Sequence, residues 1–315
     1  MSSSSPVPAE GKRLHWEQLP AHVRLALEQR LGAPVVEAET QKTGFSPGLA
    51  ARLRLGDGSR VFLKAVSQAA NPDSPAMHRR EAEVVAALPP AAPVPRLRSV
   101  YDQGGWVALC FDDVAGRHPH EPWTEADLGL VVEALRRMSR DLTPSPIATP
   151  HTASHAFQAG INGWQVALRR GEDRLDAWCV RHLERLAELE ARAPEASRGE
   201  TLLHFDTRAD NILIDGERVY VVDWPSARIG ADWVDWAAMA PSVAMQGGPD
   251  PEALLRMFQV AAPADDVDSV VCSLAGYFTV RALDPPPPGI PTVRAFQAAQ
   301  GKVAVEWLRA RTGWA

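Results

Sequence analysis

One short stretch of the chain concentrates side chains that bind cations and move protons. His204, Asp206 and Asn211 follow the spacing H-x-D-x-x-x-x-N, and Asp223 comes shortly after them. Magnesium prefers hard oxygen ligands and is usually held by one or two carboxylates together with substrate phosphates. Asp223 and the amide oxygen of Asn211 suit that task, and Asp206 can accept a proton from a hydroxyl. The spacing is typical of catalytic loops that transfer phosphoryl groups.

A β-hairpin is expected to bring these side chains together. Residues 212–214 and 218–222 have the composition of strands, and the Asp-Gly pair between them signals a tight turn. A hairpin places the residue before its first strand beside the residue after its second strand. Asn211 and Asp223 should therefore be neighbours, and the preceding loop with its histidine and aspartate should lead to the same end.

In these residues the sequence resembles the aminoglycoside phosphotransferases and related small-molecule kinases, which share the protein-kinase-like fold. The resemblance extends over about residues 35–240. It implies that Asp206 is the catalytic base and that His204 supports the catalytic loop. It also implies that Asn211 and Asp223 are the ligands of Mg²⁺, and that the nucleotide is ATP, with GTP as an alternative.

Four positions near the motif refine the resemblance. Asp235 matches a later aspartate that tethers the catalytic loop in this family. Phe205 stands where many members carry glycine, so the loop is expected to differ in shape but to keep its chemical residues. Trp224 and Pro225 follow the metal-binding aspartate in place of the Phe-Gly of protein kinases, which argues against their mode of activation switching.

Arg208 has two alternative roles. It lies two residues after Asp206, where protein Ser/Thr kinases carry a lysine that faces the γ-phosphate. A guanidinium there would stabilise charge on the transferred group. The alternative is a surface ion pair with Asp210.

A lysine in the N-terminal part is expected to neutralise the nucleotide phosphates. Lys64 lies in the third strand-like run, before a helix predicted over roughly residues 77–88. That helix has an apolar stripe that includes Met77, with Glu81 in its middle. Because an unpaired buried carboxylate is costly, Glu81 is expected to pair with Lys64. The resemblance implies the same ion pair.

The connection between the first two strands is a candidate phosphate-binding loop. Its residues Gly44, Ser46 and Gly48 do not form G-x-G-x-x-G, and its proline removes one backbone donor. The loop is similar to the shorter Ser-Pro loops of the family, in which the serine would donate its hydroxyl and amide to a β-phosphate. An ordinary hairpin loop is the alternative.

The predicted fold class is α+β, a protein-kinase-like bilobal fold. Turn glycines between β-favouring runs predict a five-stranded antiparallel sheet with one helix. The strands are expected at residues 35–40, 50–55, 61–66, 97–101 and 106–111. The residues that leave the fifth strand should form a hinge whose backbone binds adenine, namely Cys110, Phe111, Asp112 and Asp113.

The remainder of the chain is predicted to be mostly helical. A long amphipathic helix is expected over about residues 173–193, with 181–192 as a solvated face. Trp233 and Trp236 are expected either in the core or on the wall of an acceptor cleft. The predicted organisation is a flexible tail at 1–12, a nucleotide-binding lobe at 13–112, and a catalytic and acceptor-binding lobe at 113–315.

Composition narrows the class of protein. The 315 residues carry a net charge of −6, which argues against nucleic-acid binding, and 45% are hydrophobic. No run approaches the roughly 20 apolar residues of a membrane span, and no secretory signal is visible, so a cytoplasmic protein is expected. The three cysteines are widely spaced, which argues against a disulfide framework. A monomer or homodimer is expected.

The sequence therefore predicts an ATP- and Mg²⁺-dependent O-phosphotransferase that moves the γ-phosphate to a hydroxyl of a small molecule. The resemblance favours an aminoglycoside or another antibiotic as acceptor. A kinase of a metabolite alcohol, such as choline, a sugar or an amino alcohol, is the alternative within enzymes. A nucleotide-binding scaffold without turnover is the alternative outside them.

Overall fold

The computed structural model describes residues 13–41, 48–287 and 290–315, so the tail predicted at 1–12 lies outside the described residues. The described strands are β1 (Val35–Thr40), β2 (Leu49–Leu55), β3 (Arg60–Ser67), β4 (Leu97–Gln103), β5 (Trp106–Asp112), β6 (Thr201–Leu203), β7 (Ile212–Asp215), β8 (Arg218–Val221) and β9 (Arg228–Gly230). The first five form one antiparallel sheet in the order β1-β2-β3-β5-β4. The predicted five-stranded sheet is confirmed.

Two helices belong to the N-terminal lobe, and the others build the C-terminal lobe. They are α1 (Ala21–Leu31), α2 (Ser74–Ala87), α3 (Glu125–Asp141), α4 (Ala153–Ala159), α5 (Gly163–Arg170), α6 (Ala177–Arg181), α7 (Leu183–Glu190), α8 (Ala193–Ala196), α9 (Val234–Met245), α10 (Pro251–Phe258), α11 (Ala264–Arg281) and α12 (Val293–Thr312). The predicted α+β bilobal class is confirmed. None of the helices in the described ranges is both long enough and apolar enough to cross a bilayer.

The alternation of β3 decides which way Lys64 points. Leu63 belongs to the core on the α1 side of the sheet, together with Leu27 of α1. Residues on the other face pack with the core that includes Val84 and Val85 of α2. Because successive side chains of a strand alternate between faces, Lys64 faces α2.

Helix α2 differs from the prediction in one residue of its inward face. Met77 is 46% exposed, so its assignment to the buried stripe is wrong. The helix begins at Ser74, and His78 takes the buried position one turn before Glu81. The two buried valines continue the face, so the inward pattern is a histidine and a glutamate followed by apolar residues.

The long helix predicted over 173–193 is wrong, because the chain forms two short helices there, α6 and α7, and a third, α8, begins at Ala193. Asp176 begins α6 by accepting hydrogen bonds from the amides of Trp178 and Cys179. The helix is interrupted at His182, whose ring contacts the backbone carbonyl of Ala315 at 2.8 Å. The interruption therefore coincides with a contact between His182 and a residue distant in the sequence.

The expected solvated face at 181–192 is also wrong at Glu190, which is 1% exposed. Its two carboxyl oxygens accept hydrogen bonds from the amides of Trp164 and Gln165, at 3.1 and 2.9 Å. These amides are unpaired donors at the start of α5, so Glu190 caps that helix. Close by, α5 crosses α11 so tightly that a Cβ on Gly163 would lie 2.0 Å from the carbonyl oxygen of Gly276.

Trp233 and Trp236 lie in the core. Each is 7% exposed, and the ring of Trp236 stacks on that of Phe258 with centroids 4.7 Å apart. This burial agrees with the core alternative, and a place for either ring along an acceptor cleft stays a prediction.

The pH dependence of stability tests the cap at Glu190. Burial raises the pKa of Glu190 to about 8, against the lowering effect of its two amide donors. The folded protein therefore keeps the proton between about pH 4.5 and 8, where the unfolded chain loses it, and this contribution to stability falls as pH rises. Glu190→Gln does not titrate. We expect wild type to lose stability relative to this variant by up to about 1.4 kcal/mol per pH unit over that range, measured by denaturant unfolding.

Glu188→Gln is the matched control, because Glu188 lies on the same helix and is exposed. Its free energy of unfolding should stay parallel to that of wild type at every pH. A difference between wild type and Glu190→Gln that does not change with pH contradicts the assignment.

Candidate active site

The hairpin of β7 and β8 brings Asn211 and Asp223 together. Ile212 pairs with Val221, and the amide of Val222 donates to the carbonyl of Asn211 at 2.9 Å. Asp223 follows directly, so it lies beside Asn211 as the turn signal predicted. The hydrogen-bonded pairing of these two four-residue strands thus brings the Asn211 amide and the Asp223 carboxylate together.

Asn211 also holds the loop that carries Asp206. Its Nδ2 donates to the backbone carbonyl of Asp206 at 2.8 Å and lies 3.4 Å from the Asp206 carboxylate. Within the described part of the chain, the amide oxygen of Asn211 accepts no hydrogen bond. This oxygen therefore remains available to bind a cation.

His204 connects the same loop to the end of β8. Its Nε2 donates to the carbonyl of Val222 at 2.9 Å, and its Nδ1 accepts from the amide of Asp206 at 3.3 Å. The carbonyl of Val222 can only accept, so Nε2 carries a proton. The amide of Asp206 can only donate, so Nδ1 carries none, and the imidazole is therefore neutral. Burial lowers the pKa of His204, which agrees with the neutral form.

Asp235 holds the loop from the opposite side. Its carboxylate accepts from the amides of His204 and Phe205, at 2.7 and 2.8 Å. Phe205 has φ of 64°, in the left-handed region that favours glycine. Its ring lies edge-on against Phe157 and under the guanidinium of Arg228. Side-chain packing together with the Asp235 hydrogen bonds keeps a non-glycine residue in this conformation.

Asp206 lies beside Arg208, which contacts two aspartates at once. The guanidinium is 3.0 Å from the Asp206 carboxylate and makes two bonds of 2.9 Å to Asp210. Its side chain is only 17% exposed, so the ion pair with Asp210 forms in the site and not at the surface. Burial raises the pKa of Asp206 to about 6, although Arg208 lowers it.

Lys64 reaches from the N-terminal lobe into this site. Its Nζ lies 2.7 Å from the carboxylate of Glu81 and 2.7 Å from that of Asp223. The expected ion pair with Glu81 therefore forms, and a second carboxylate shares the same ammonium. Burial opposes the charged form of Lys64, but the two carboxylates outweigh it and raise its pKa. Burial likewise disfavours ionised Asp223, and the nearby ammonium outweighs this and lowers its pKa.

Two residues at this site were not predicted from the sequence to belong to it. His78 is buried beside Glu81, and its Nδ1 contacts the carbonyl of Ser74; burial and the charge of Lys64 lower its pKa to about 4. His78 lies one helical turn before Glu81, and this spacing was the signal in the sequence that could have identified it. Arg13 lies within electrostatic reach of Asp223, and no sequence pattern marked it.

The candidate phosphate loop is described only at its last residue. Gly48 has φ of 121°, and a Cβ there would lie 2.5 Å from the carbonyl oxygen of Ala65, so only glycine fits without rearrangement. Gly44 and Ser46 lie outside the described residues.

The candidate hinge residues divide into two groups. Cys110, Phe111 and Asp112 lie within β5, paired with β3. Asp113 follows the strand, and its carboxylate forms ion pairs with Arg52 and Arg60. Adenine binding by this segment stays a prediction.

The donor set at the hairpin fits magnesium. An ionised Asp223 and the amide oxygen of Asn211 are hard oxygen ligands. Among the described residues, no group of three or more histidines, cysteines or carboxylates could hold a metal alone. Two protein ligands suit a cation that keeps waters and binds substrate phosphates, because Mg²⁺ is usually held in that way.

The bilobal fold and this site define a phosphotransferase with a protein-kinase-like architecture. Residues 44–267 match the model of the phosphotransferase enzyme family, APH. The chain belongs to this family, whose members are small-molecule kinases that transfer phosphate to hydroxyl groups. Comparison with curated protein sequences gave no match.

Solved structures confirm the fold. The chain is similar to a thermostable mutant of aminoglycoside phosphotransferase APH(4)-Ia in a ternary complex with ADP and hygromycin B, with a TM-score of 0.64 and 15% identity over 94% of this chain and 100% of that one. It is similar to an aminoglycoside phosphotransferase from Alicyclobacillus acidocaldarius, with a TM-score of 0.57 and 15% identity over 89% of this chain and 92% of that one. It is also similar to an amicoumacin kinase in complex with AMP-PNP, Ca²⁺ and Ami, with a TM-score of 0.59 and 9% identity over 90% of this chain and 93% of that one.

Replacing Asp235 tests how much the loop depends on its two backbone hydrogen bonds. In Asp235→Asn, one of the two amides would face an NH₂ group in place of an acceptor. We expect a loss of about 1–3 kcal/mol in the free energy of unfolding, together with reduced turnover. Asp232→Asn, at an exposed position three residues before Asp235, should change neither. Wild-type stability in Asp235→Asn contradicts this account.

Proposed function

We propose that this protein transfers the γ-phosphoryl group of ATP, with Mg²⁺, to a hydroxyl of a small molecule. The observation that carries the proposal is the contact chain from Lys64 to Asp223, and from Asn211 to Asp206, within one site. These are the residue types that phosphoryl transfer needs: a cation for the phosphates, oxygen ligands for the metal, and a proton acceptor.

The nucleotide phosphates would be bound from both lobes. Lys64, held by Glu81, would contact the α- and β-phosphates, exchanging part of its present contact with Asp223. Mg²⁺ on Asn211 and Asp223 would neutralise charge on the phosphate oxygens. The positively charged Arg13 lies near the same position.

Asp206 would act as the base. The acceptor oxygen forms a bond to the γ-phosphorus while the bond from that phosphorus to the β–γ bridging oxygen breaks, and its electron pair leaves with ADP. The hydroxyl proton passes to the Asp206 carboxylate and then to solvent. With a pKa of about 6, this carboxylate is ionised at neutral pH and is a stronger base than an ordinary aspartate.

Arg208 would position and tune this base. Its two bonds to Asp210 and one to Asp206 already use the guanidinium within the loop. This arrangement supports a role in fixing the Asp206 carboxylate and in lowering its pKa, in preference to direct binding of the γ-phosphate.

The acceptor is a hydroxylated small molecule. Relatives in complexes with hygromycin B and with an amicoumacin-family ligand support testing antibiotics, including aminoglycosides, first. A metabolite alcohol is the second candidate, because the same residues would phosphorylate it. The intact set of Lys64, Glu81, Asp206, Asn211 and Asp223 argues against a silent scaffold.

Replacing Asp206 tests the assignment of the base. In Asp206→Asn we expect turnover to fall by about 10²–10⁴-fold, because no group remains to accept the proton, while AMP-PNP still binds in the presence of Mg²⁺. Products would be measured by mass spectrometry as a gain of about 80 Da, one phosphoryl group, across a panel of aminoglycosides, other antibiotics, sugars and amino alcohols. Asp215→Asn, at the exposed hairpin turn, is the control. Wild-type turnover in Asp206→Asn would rule out this base.

The pH profile tests the tuning by Arg208. Because Asp206 must be ionised, kcat/KM should fall about tenfold per pH unit below about pH 6. Arg208→Gln removes a charge that lowers this pKa, so the acid limb should move to higher pH. Arg218→Gln, on the exposed side of the hairpin, should leave it in place. An acid limb that does not move in Arg208→Gln contradicts the proposed role.

A further inference from the structure

A polar cavity of about 170 Å³ lies between α11 and α5 with the loop that precedes α5. Its charged lining consists of Arg169, Arg170, Arg281 and Asp284, and the phenol of Tyr277 adds a further polar group. Three guanidinium groups face one carboxylate, so the lining carries an excess of two positive charges. Neither the motif nor the family likeness indicated this charge.

One wall residue connects the cavity to the surroundings of the proposed base. Tyr277 lies on its wall and is also within electrostatic reach of Asp206 and Arg208. On the neighbouring helix α12, the ring of Phe296 lies 5.6 Å from the guanidinium of Arg208. Helix α11 lines the cavity and packs against α12, which contacts the catalytic loop, so a molecule in the cavity that reached past Tyr277 would approach Asp206.

The protein neutralises this positive charge only in part. The Asp284 carboxylate is shared between Arg170 and Arg281, at 3.3 and 3.4 Å, which are long contacts. Both arginines are about half exposed and can turn towards a ligand. Arg169 forms no ion pair with an acidic residue in the described part of the chain. Guanidinium groups bind carboxylates and phosphates through paired hydrogen bonds.

We propose that the acceptor carries an anionic group, a carboxylate or a phosphate, which Arg169, Arg170 and Arg281 bind while its hydroxyl faces Asp206. This inference rests on the proposed function and specifies its substrate class. A polycationic acceptor has the wrong charge for this lining, because like charges at close range are repelled. Hydroxylated acids and phosphorylated alcohols have the right charge.

The test uses four sugars that differ in charge: glucose, glucosamine, gluconate and glucose 6-phosphate. Each is titrated by calorimetry into protein saturated with AMP-PNP and Mg²⁺, so that the nucleotide site cannot bind the added anion. We expect at least one anionic member to bind about tenfold or more tightly than glucose, and glucosamine to bind most weakly. The preference should weaken with added salt. Comparing the affinities of gluconate and glucose 6-phosphate shows whether the site prefers a carboxylate or a phosphate.

Single replacements locate the effect. Arg169→Gln and Arg281→Gln should each weaken binding of the preferred anion by about tenfold and leave the binding of glucose unchanged. Arg54→Gln removes the same charge from β2, where Arg54 pairs with Glu37, and should have no effect. Affinity for AMP-PNP in each variant shows that the protein is folded.

The outcomes separate the two proposals. Absence of AMP-PNP binding in wild type defeats the proposed function itself. Nucleotide binding with equal or undetectable affinity for the four sugars, or tighter binding of glucosamine, overturns the anionic acceptor alone. The same holds if phosphoryl transfer is found for hygromycin B and for no anionic member of the series.

Discussion

The ammonium of Lys64 lies between two carboxylates from different lobes, Glu81 of α2 and Asp223 at the end of the β7–β8 hairpin. Burying charged groups is costly unless each has a partner, and here one cation satisfies two anions. This arrangement connects the sheet to the catalytic loop and keeps Asp223 ionised. This ion-pair arrangement positions Asn211 and Asp223, which would hold a metal. It also positions Asp206, which would accept a proton.

The catalytic loop combines strained backbone with strong tethers. Phe205 and Asp223 both have positive φ, a conformation that costs non-glycine residues about 1–2 kcal/mol each. The hydrogen bond that the Phe205 amide donates to Asp235 and the one that Lys64 donates to Asp223 hold these conformations. The stored strain is concentrated on either side of the proposed base, as expected when surrounding structure imposes a functional geometry.

Local patterns were sufficient to predict the parts of the site that local geometry builds. The Asp-Gly turn and its flanking strands correctly placed Asn211 beside Asp223, and helical spacing correctly placed Glu81 opposite Lys64. The fold class followed from turn glycines and the change from strand to helix patterns. Assignment of chemical roles to these residues remains a proposal.

Features that depend on distant contacts were not predictable from local patterns. The break at His182 lies where its ring contacts Ala315, and the buried carboxyl group of Glu190 caps a helix that no local pattern predicts. The arginine-lined cavity joins residues from α5 and α11, more than a hundred positions apart. Periodicity within one segment contains no information on which side chain of another segment it will meet.

A crystal structure with AMP-PNP and Mg²⁺ tests the central claim most directly. We expect electron density for the metal between the amide oxygen of Asn211 and the carboxylate of Asp223, with Lys64 on the α- and β-phosphates and Asp206 facing the γ-phosphate. A nucleotide bound with its phosphates away from these four side chains, or a metal held by other residues, would contradict it.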